Sequence, residues 1–187
     1  SGCYINGKVM RKDLLEEKIA QYKAGDRRAF DAVYDMTHRA VYFRILYVVR
    51  DKMYAEDILH DAYLRAMQNI SSYIAGTDFI AWLTRIGKNL ALNFLEKKKR
   101  EELTDFQTDA HRYGTAEPEI PFLFDLARKV LSEDEYEILM LCQVSGYKRR
   151  EVAEMLSMPV ATVTWKNNEA LKKLKRQMEN AEKEARE

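Results

Sequence analysis

Residues 149–174 read RREVAEMLSMPVATVTWKNNEALKKL. Val152, Ala153 and Leu156 mark the inner side of a short helix from Arg149 to Leu156. Ser157-Met158-Pro159 ends it, and Pro159 suits the first turn of a following helix, where its missing N–H costs nothing. Val160 and Val163 give that second helix its inner side. A small residue, Ala153, with a valine ten positions later at Val163 is helix-turn-helix spacing. The alanine lets the two helices cross closely, and the valine anchors the second. The N-terminal part of the second helix is then offered to a DNA major groove. Thr162, Thr164, Trp165, Lys166 and Asn168 are its outward candidates. Asn can read adenine through two hydrogen bonds, Lys can read guanine or a phosphate, and a Thr methyl can meet a thymine methyl. The competing reading is an ordinary helical hairpin with a solvated face.

Helical periodicity continues outward from this stretch. Leu14, Leu15, Ile19 and Tyr22 pattern a helix from about Arg11 to Ala24, after which Gly25-Asp26 reads as a C-cap followed by an N-cap. Phe30, Val33, Tyr34, Val41, Ile45 and Val48 pattern a second helix, Arg27 to Arg50. A third runs from Met53 to Ile70 on Leu59, Ala62, Ala66, Met67 and Ile70. Ser71–Thr77 is a break, and Asp78 reads as the N-cap of a fourth helix, Phe79 to Arg100. From Glu101 to Pro121 the pattern stops, and Gly114, Pro118 and Pro121 mark a linker. It returns at Phe122, Leu123, Leu126, Val130 and Leu131. Ser132, with Glu135 three residues on, is a capping box opening a helix that carries Tyr136, Leu139, Met140 and Val144 and stops at Gly146. The last helix runs from Pro159 to about Ala185. The expected fold is all-α: four helices, a linker and four helices, with no internal repeat.

Composition agrees. With 47% hydrophobic residues and 33% charged, the 187-residue chain has material for a packed core. Seven Gly and three Pro are too few turn residues for many short strands. Cys3 and Cys142 stand alone, so neither a disulfide framework nor a cysteine zinc site is expected, and the chain reads as reduced and cytoplasmic. No apolar run reaches membrane-span length. The formal net charge of +1 excludes a uniformly basic nucleic-acid binder, though not a basic stripe offset by an acidic one.

Two further constellations carry chemistry. On the helix Phe79–Arg100, Phe79, Leu83, Ile86 and Leu90 form an apolar stripe. Trp82, Arg85, Asn89 and Asn93 share a different face. An aromatic, a cation and two amides in a row suit single-stranded nucleic acid: rings stack on bases, the cation holds phosphate, and amides bond base edges. Lys97–Arg100 extends the positive strip. Against this, Trp82 could belong to the core and the lysines could serve only the helix dipole. The second is Glu56-Asp57-Ile58-Leu59-His60-Asp61, whose acids and histidine share a helix face. Asp57-x-x-His60 is similar to half of a di-iron site, but such bundles need a second copy. His38 and His111 supply none, so a protein-binding or solvated face is the stronger reading. No phosphate loop, nucleophile elbow or metalloprotease helix is present, so no enzyme, metal or cofactor is expected.

Ala55-Glu56-Asp57-Ile58-Leu59-His60-Asp61-Ala62-Tyr63-Leu64-Arg65-Ala66 resembles the A-E-D-[LI]-x-Q-[DE]-x-[FY]-L-[RK]-x of small bacterial RNA polymerase sigma factors, the extracytoplasmic-function (ECF) type of the sigma-70 family. Phe79-x-x-Trp82-Leu83-x-Arg85-Ile86-Gly87-x-Asn89 resembles their F-x-x-W-L-x-R-I-A-x-N. Pro159-Val160-Ala161-Thr162-Val163 resembles the P-x-G-T-V opening their fourth-region recognition helix. The three stand in the family's order, and the match covers about Leu14–Arg100 and Leu123–Gln177. The resemblance implies two small helical domains, a region 2 bundle over 11–100 and a region 4 helix-turn-helix domain over 122–180, joined by a linker over 101–121.

It also implies roles. Asp57, His60, Asp61 and Met67 correspond to the surface that docks on the β′ clamp helices of core RNA polymerase. His60 stands where Gln is usual. Asn89 belongs to the pocket that holds a flipped base of the −10 strand, with Ser71–Thr77 beside it and Trp82, Arg85, Lys88 and Asn93 flanking the separated strands. Thr162 to Glu169 would lie in the major groove of the −35 element. Here the sequence departs from the family. Arg or Lys, Ser and Arg are usual at Thr164, Trp165 and Lys166, an apolar residue at Asn167, and Arg at Glu169. Ser157 replaces a small turn residue. Further expected partners are the polymerase β flap, promoter DNA and an anti-sigma factor of the kind that covers both DNA-binding domains in many relatives. The linker acids Glu101, Glu102, Asp105 and Asp109 would thread near the polymerase active site. A stand-alone helix-turn-helix regulator is the rival, and near-neutral charge disfavours a protein that finds DNA unaided.

Overall fold

The computed structural model describes residues 3–5, 8–10, 12–104 and 120–184. A two-stranded antiparallel hairpin, β1 (Cys3–Ile5) and β2 (Lys8–Met10), opens the chain. Helical periodicity at the sequence level did not foresee it. The other regular elements among the described residues are helical: α1 (Lys12–Lys23), α2 (Ala29–Val49), α3 (Lys52–Gln68), α4 (Phe79–Thr104), α5 (Ile120–Val130), α6 (Glu133–Leu139), α7 (Arg149–Met155) and α8 (Val160–Glu184). The all-α expectation holds for this body.

Helix ends follow local chemistry. Gly25 takes φ +100° and closes α1. Asp26 caps the turn ahead of α2, accepting from the Arg28 N–H at 3.1 Å, so α2 begins at Ala29 rather than Arg27. Arg50 at φ 63° ends α2, and Asp51 caps α3 by accepting from the Tyr54 N–H. Asp78 accepts from the Ala81 N–H at 2.9 Å, as its sequence position predicts. The Ser132–Glu135 capping box forms in both directions. α4 continues four residues past Arg100, to Thr104, and α5 starts at Ile120. The structured ends therefore take up part of the expected linker, and 105–119 lie outside the described residues.

α1 to α4 pack as a bundle around Val33, Val41, Ile45, Ala62 and Leu83, all fully or almost fully buried. Each large aliphatic among them contributes about 1.5–3 kcal/mol by leaving water. Gly87 lets α4 approach α2 closely, since a Cβ there would lie 2.8 Å from Ile45 Cδ1. Thr37 links α2 to α3 inside the core. Its hydroxyl donates to the Val33 carbonyl at 2.7 Å and pairs with the Tyr63 hydroxyl at 2.5 Å.

α5 to α8 form a second body around Tyr136, Ile138, Leu141, Val152 and Val163. Residues Met140–Val144 form a π-helical turn after α6. The extra residue in that turn rotates the chain beyond it, so Val144 is exposed rather than part of the inner stripe. Gly146 at φ +74° ends the turn. The two bodies pack on each other. The Tyr47 ring meets the Tyr136 ring at 5.3 Å, the Tyr47 hydroxyl donates to the Leu131 carbonyl at 3.2 Å, and Arg39 lies over the Tyr147 ring.

Candidate nucleic-acid and polymerase interfaces

α3 is two-sided. Ala55, Ile58, Leu59, Ala62, Tyr63 and Ala66 are buried, which turns Glu56, Asp57, His60 and Asp61 to solvent and leaves Met67 half-buried at the edge. Asp57 and Asp61 form no ion pair among the described residues. Glu56 and His60 border a groove of about 490 Å³ floored by Tyr34, His38, Tyr42 and Phe43, where the His38 ring stacks on Tyr34 at 4.9 Å. No cluster of three metal-ligating side chains forms among the described residues, and His111 lies outside them.

α4 presents Arg85, Asn89 and Asn93 to solvent along one face. Trp82 begins this row half-buried, packed on Tyr73 at 5.5 Å and Phe79 at 5.6 Å. It thus belongs partly to the core and leaves part of its ring at the surface. The adjoining segment 71–77 is pinned by α1. The Glu16 carboxylate accepts from the Tyr73 hydroxyl and from the Gly76 N–H at 3.1 Å, while Lys23 donates to the Tyr73 carbonyl at 2.7 Å. Burial, with the Glu16 hydrogen bond second, raises the Tyr73 hydroxyl above its ordinary range, so it stays a donor. Gly76 takes φ +81° to make the turn. Glu16, Lys23 and Tyr73 were not foreseen, because pinning a loop from a helix 50 or more residues away leaves no local pattern.

The helix-turn-helix forms as its spacing predicts. Ala153 and Val163 are buried at the crossing, the Met158 N–H donates to the Ala153 carbonyl at 2.9 Å, and Ser157 makes the turn at φ 51°. Three expectations for α8 need correction. Val160 is 46% exposed, not inner, since it lies in the first turn ahead of the crossing. Asn167 is fully buried, where the family's apolar residue would be, and so cannot meet DNA. Lys166 is not free: it donates to Asp134 at 2.6 Å. Trp165, 61% exposed, and Asn168 do face out, and Asn168 accepts from Arg149 at 3.3 Å. Thr162 and Thr164 are half-buried, and half-buried Glu169 pairs with Lys172.

Between α4 and α7 lies a cleft of about 410 Å³. Thr84, Arg85, Lys88 and Asn89 form one wall, with Met155 and Leu156 opposite. Its rim is ionic. Arg44 on α2 donates to Glu137 at 2.5 Å and to Asp134 at 2.8 Å, and lies 3.3 Å from Glu133. Glu133 in turn accepts from Lys88 at 2.9 Å. Glu137 is 1% exposed. Burial pushes its carboxyl up to about 7, with Arg44 pulling the other way. Lys166 and Arg44 hold Asp134 below the ordinary carboxylate range against its own partial burial. Nothing in the sequence marked Arg44 as the partner of these carboxylates.

A two-domain helical body with a helix-turn-helix at its C-terminal end and an aromatic–cation–amide row on α4 is the architecture of a promoter-reading protein. Residues 33–101 match the Sigma-70 region 2 family. The chain is 30% identical over 165 residues to the ECF RNA polymerase sigma factor SigK of Mycobacterium sp. (strain KMS), covering 80% of this chain and 82% of that one. It is 28% identical to the ECF RNA polymerase sigma factor SigW of Bacillus subtilis (strain 168), covering 88% of this chain and 97% of that one. The solved structure of CnrH in complex with the cytosolic domain of CnrY shares the fold, with a TM-score of 0.53 at 20% identity over 90% of this chain and 99% of that one. The chain belongs to the ECF RNA polymerase sigma factors. Members of that family are initiation factors rather than enzymes. Among the described residues, no helix is long and apolar enough to cross a membrane.

Proposed function

We propose that this sigma factor docks on core RNA polymerase through the exposed α3 face of Asp57, His60, Asp61 and Met67. It captures melted −10 bases along Trp82, Arg85, Lys88, Asn89 and Asn93, and reads the −35 element with the first turns of α8. The exposed α4 row beside the pinned 71–77 segment carries this reading. A helix surface offering a ring, a cation and two amides, next to a loop held in one conformation, suits unstacked bases better than a duplex. In the groove of the −35 element, Trp165 and Asn168 are the reading groups best presented, with Thr162, Thr164, Lys166 and Glu169 at the margins. The protein does no chemistry of its own, needs no metal or cofactor, and works where polymerase is, in the cytoplasm. The functional units are 11–100, the linker 101–121 and 122–180. The polymerase β flap and an anti-sigma factor are the further partners in this reading.

Reconstitution with cognate core polymerase and a promoter library tests it. Promoter-specific initiation is expected from the complete complex, with Asp61→Ala weakening core binding and Asn89→Ala lowering open-complex formation while core binding persists. Absence of specific initiation from any promoter, with active core present, would sink the proposal.

A further inference from the structure

We infer that the first turn of α6 is an internal competitor for promoter phosphate, and that its carboxylates latch the C-terminal domain over the −10 face. The inference rests on the α4 and α8 assignments proposed above. Five side chains form one continuous chain of charge: Lys88, Glu133, Arg44, Asp134 and Lys166. The links are 2.9, 3.3, 2.8 and 2.6 Å long. Its two ends are a cation of the −10 face and a cation of the recognition helix. Asp134 holds Arg44 with one carboxylate oxygen and Lys166 with the other, so one side chain ties α2 to α8. Carboxylates on these cations occupy the donors that phosphate oxygens would use.

The geometry behind the latch agrees. Arg85 and Asn89 look across the 410 Å³ cleft at Met155 and Leu156. That is the size of a small-molecule cavity, not a channel for a strand running along the α4 row. Below the ionic rim, Tyr47 on Tyr136 and Arg39 over Tyr147 supply the contact area. The closed form therefore leaves Arg85 and Asn89 solvent-exposed but walls their far side with Met155 and Leu156, so that a strand cannot run along the row. It also engages Lys166, and opening requires an exchange of carboxylate for phosphate or for a polymerase surface. A ligand that binds only the open form sees its affinity reduced by the fraction of molecules open.

The test uses the full chain with Glu133→Gln and Asp134→Asn together. These residues take no part in the proposed DNA reading, and the variant keeps Glu137 on Arg44 and the Ser132–Glu135 cap. Far-UV circular dichroism checks that it folds, and Glu137→Gln serves as a second, single-site variant. Small-angle scattering should give the wild type a radius of gyration near that of a compact chain of 187 residues, about 16 Å. Both variants should be larger. They should also bind a fluorescein-labelled oligo-dT strand of about twelve nucleotides some tenfold more tightly, as expected if about nine in ten wild-type molecules are closed. An unchanged radius in both folded variants, or a wild type already extended, would overturn the latch. A larger radius without tighter strand binding would overturn the masking. In that opened background, Arg85→Ala and Asn89→Ala then show whether the α4 assignment itself has failed: if it has, neither lowers strand binding or core-dependent initiation.

Discussion

Replacing Arg44 with Met takes the shared cation out of the interface between the two domains while keeping a long apolar stem. Glu133 and Asp134 are partly exposed and retain Lys88 and Lys166, so they lose little. Glu137 is 1% exposed and has no other cation among the described residues. Removing one member of a buried pair costs about 3–5 kcal/mol, because the other charge is stranded. The carboxylate can escape by taking up a proton, so the cost depends on pH. In the wild type, Glu137 titrates at about 7 in the folded protein, above its unfolded value. The stabilisation this represents is complete below the unfolded pKa, near 4.5, and is lost as pH rises through about 7. Its upper bound is about 3 kcal/mol. Without Arg44 to pull it down, the variant's carboxyl titrates higher still, and the loss continues to higher pH. The penalty of Arg44→Met should therefore grow by about 1 kcal/mol between pH 6 and pH 8.

The chain has two tryptophans, Trp82 in the first body and Trp165 in the second, so urea unfolding of single Trp→Phe variants reports each half by fluorescence. Arg44→Met should lower the midpoint at pH 8 or split one transition into two. Arg44→Met with Glu137→Leu should recover most of the loss, since an apolar pair can replace a buried ion pair at little cost. A variant within about 0.5 kcal/mol of wild type at pH 8, with no growth of the penalty from pH 6, would refute the argument.

Three more substitutions probe the fold. Ser157→Gly should raise stability by about 0.5–1 kcal/mol, because φ 51° is strained for any residue with a Cβ; a lower melting temperature would contradict this. Asn167→Leu should gain about 1–2 kcal/mol, since among the described residues the buried Asn167 Nδ2 has no partner and its oxygen has only Gln143, at 3.4 Å. A loss of stability in urea melts would mean that the amide is satisfied after all. Gly87→Ala should cost about 1 kcal/mol net, as the clash with Ile45 outweighs the gain in helix propensity. Ile45→Val in the same chain should relieve it, and a stabilised single variant would show that α2 and α4 are not so close.

Much of the fold was legible because its signals are local. The Ser132–Glu135 cap, Asp78, Gly25 and the Ala153–Val163 spacing each act within one turn or one hairpin, and each forms as read. Val144 was misplaced because a π-turn adds a residue that no 3.6-residue period contains. The candidate faces on α3 and α4 were legible as helix sides. The network that joins the domains was not: Arg44 stands among Phe43, Ile45 and Leu46 as one more polar position of an amphipathic helix, and its partners are 90 and 93 residues away. Nothing local distinguishes a cation held by three carboxylates from one in water.

That network changes the meaning of the unusual recognition helix. Thr164, Trp165 and Glu169 stand where polar or cationic residues are usual in the family, which by itself suggests a helix with weak hold on DNA. The structure engages the remaining cation, Lys166, with Asp134, and leaves an uncharged ring and an amide, Trp165 and Asn168, facing out. A helix so built gains little from counterion release, the term that gives non-specific DNA binding its strength. In the proposed reading its selectivity would rest on shape and base-edge contacts, with the exposed Lys148, Arg149 and Arg150 close by at the start of α7. On the proposed reading, near-zero net charge and a latched lysine serve the same end: little affinity for DNA until polymerase supplies it.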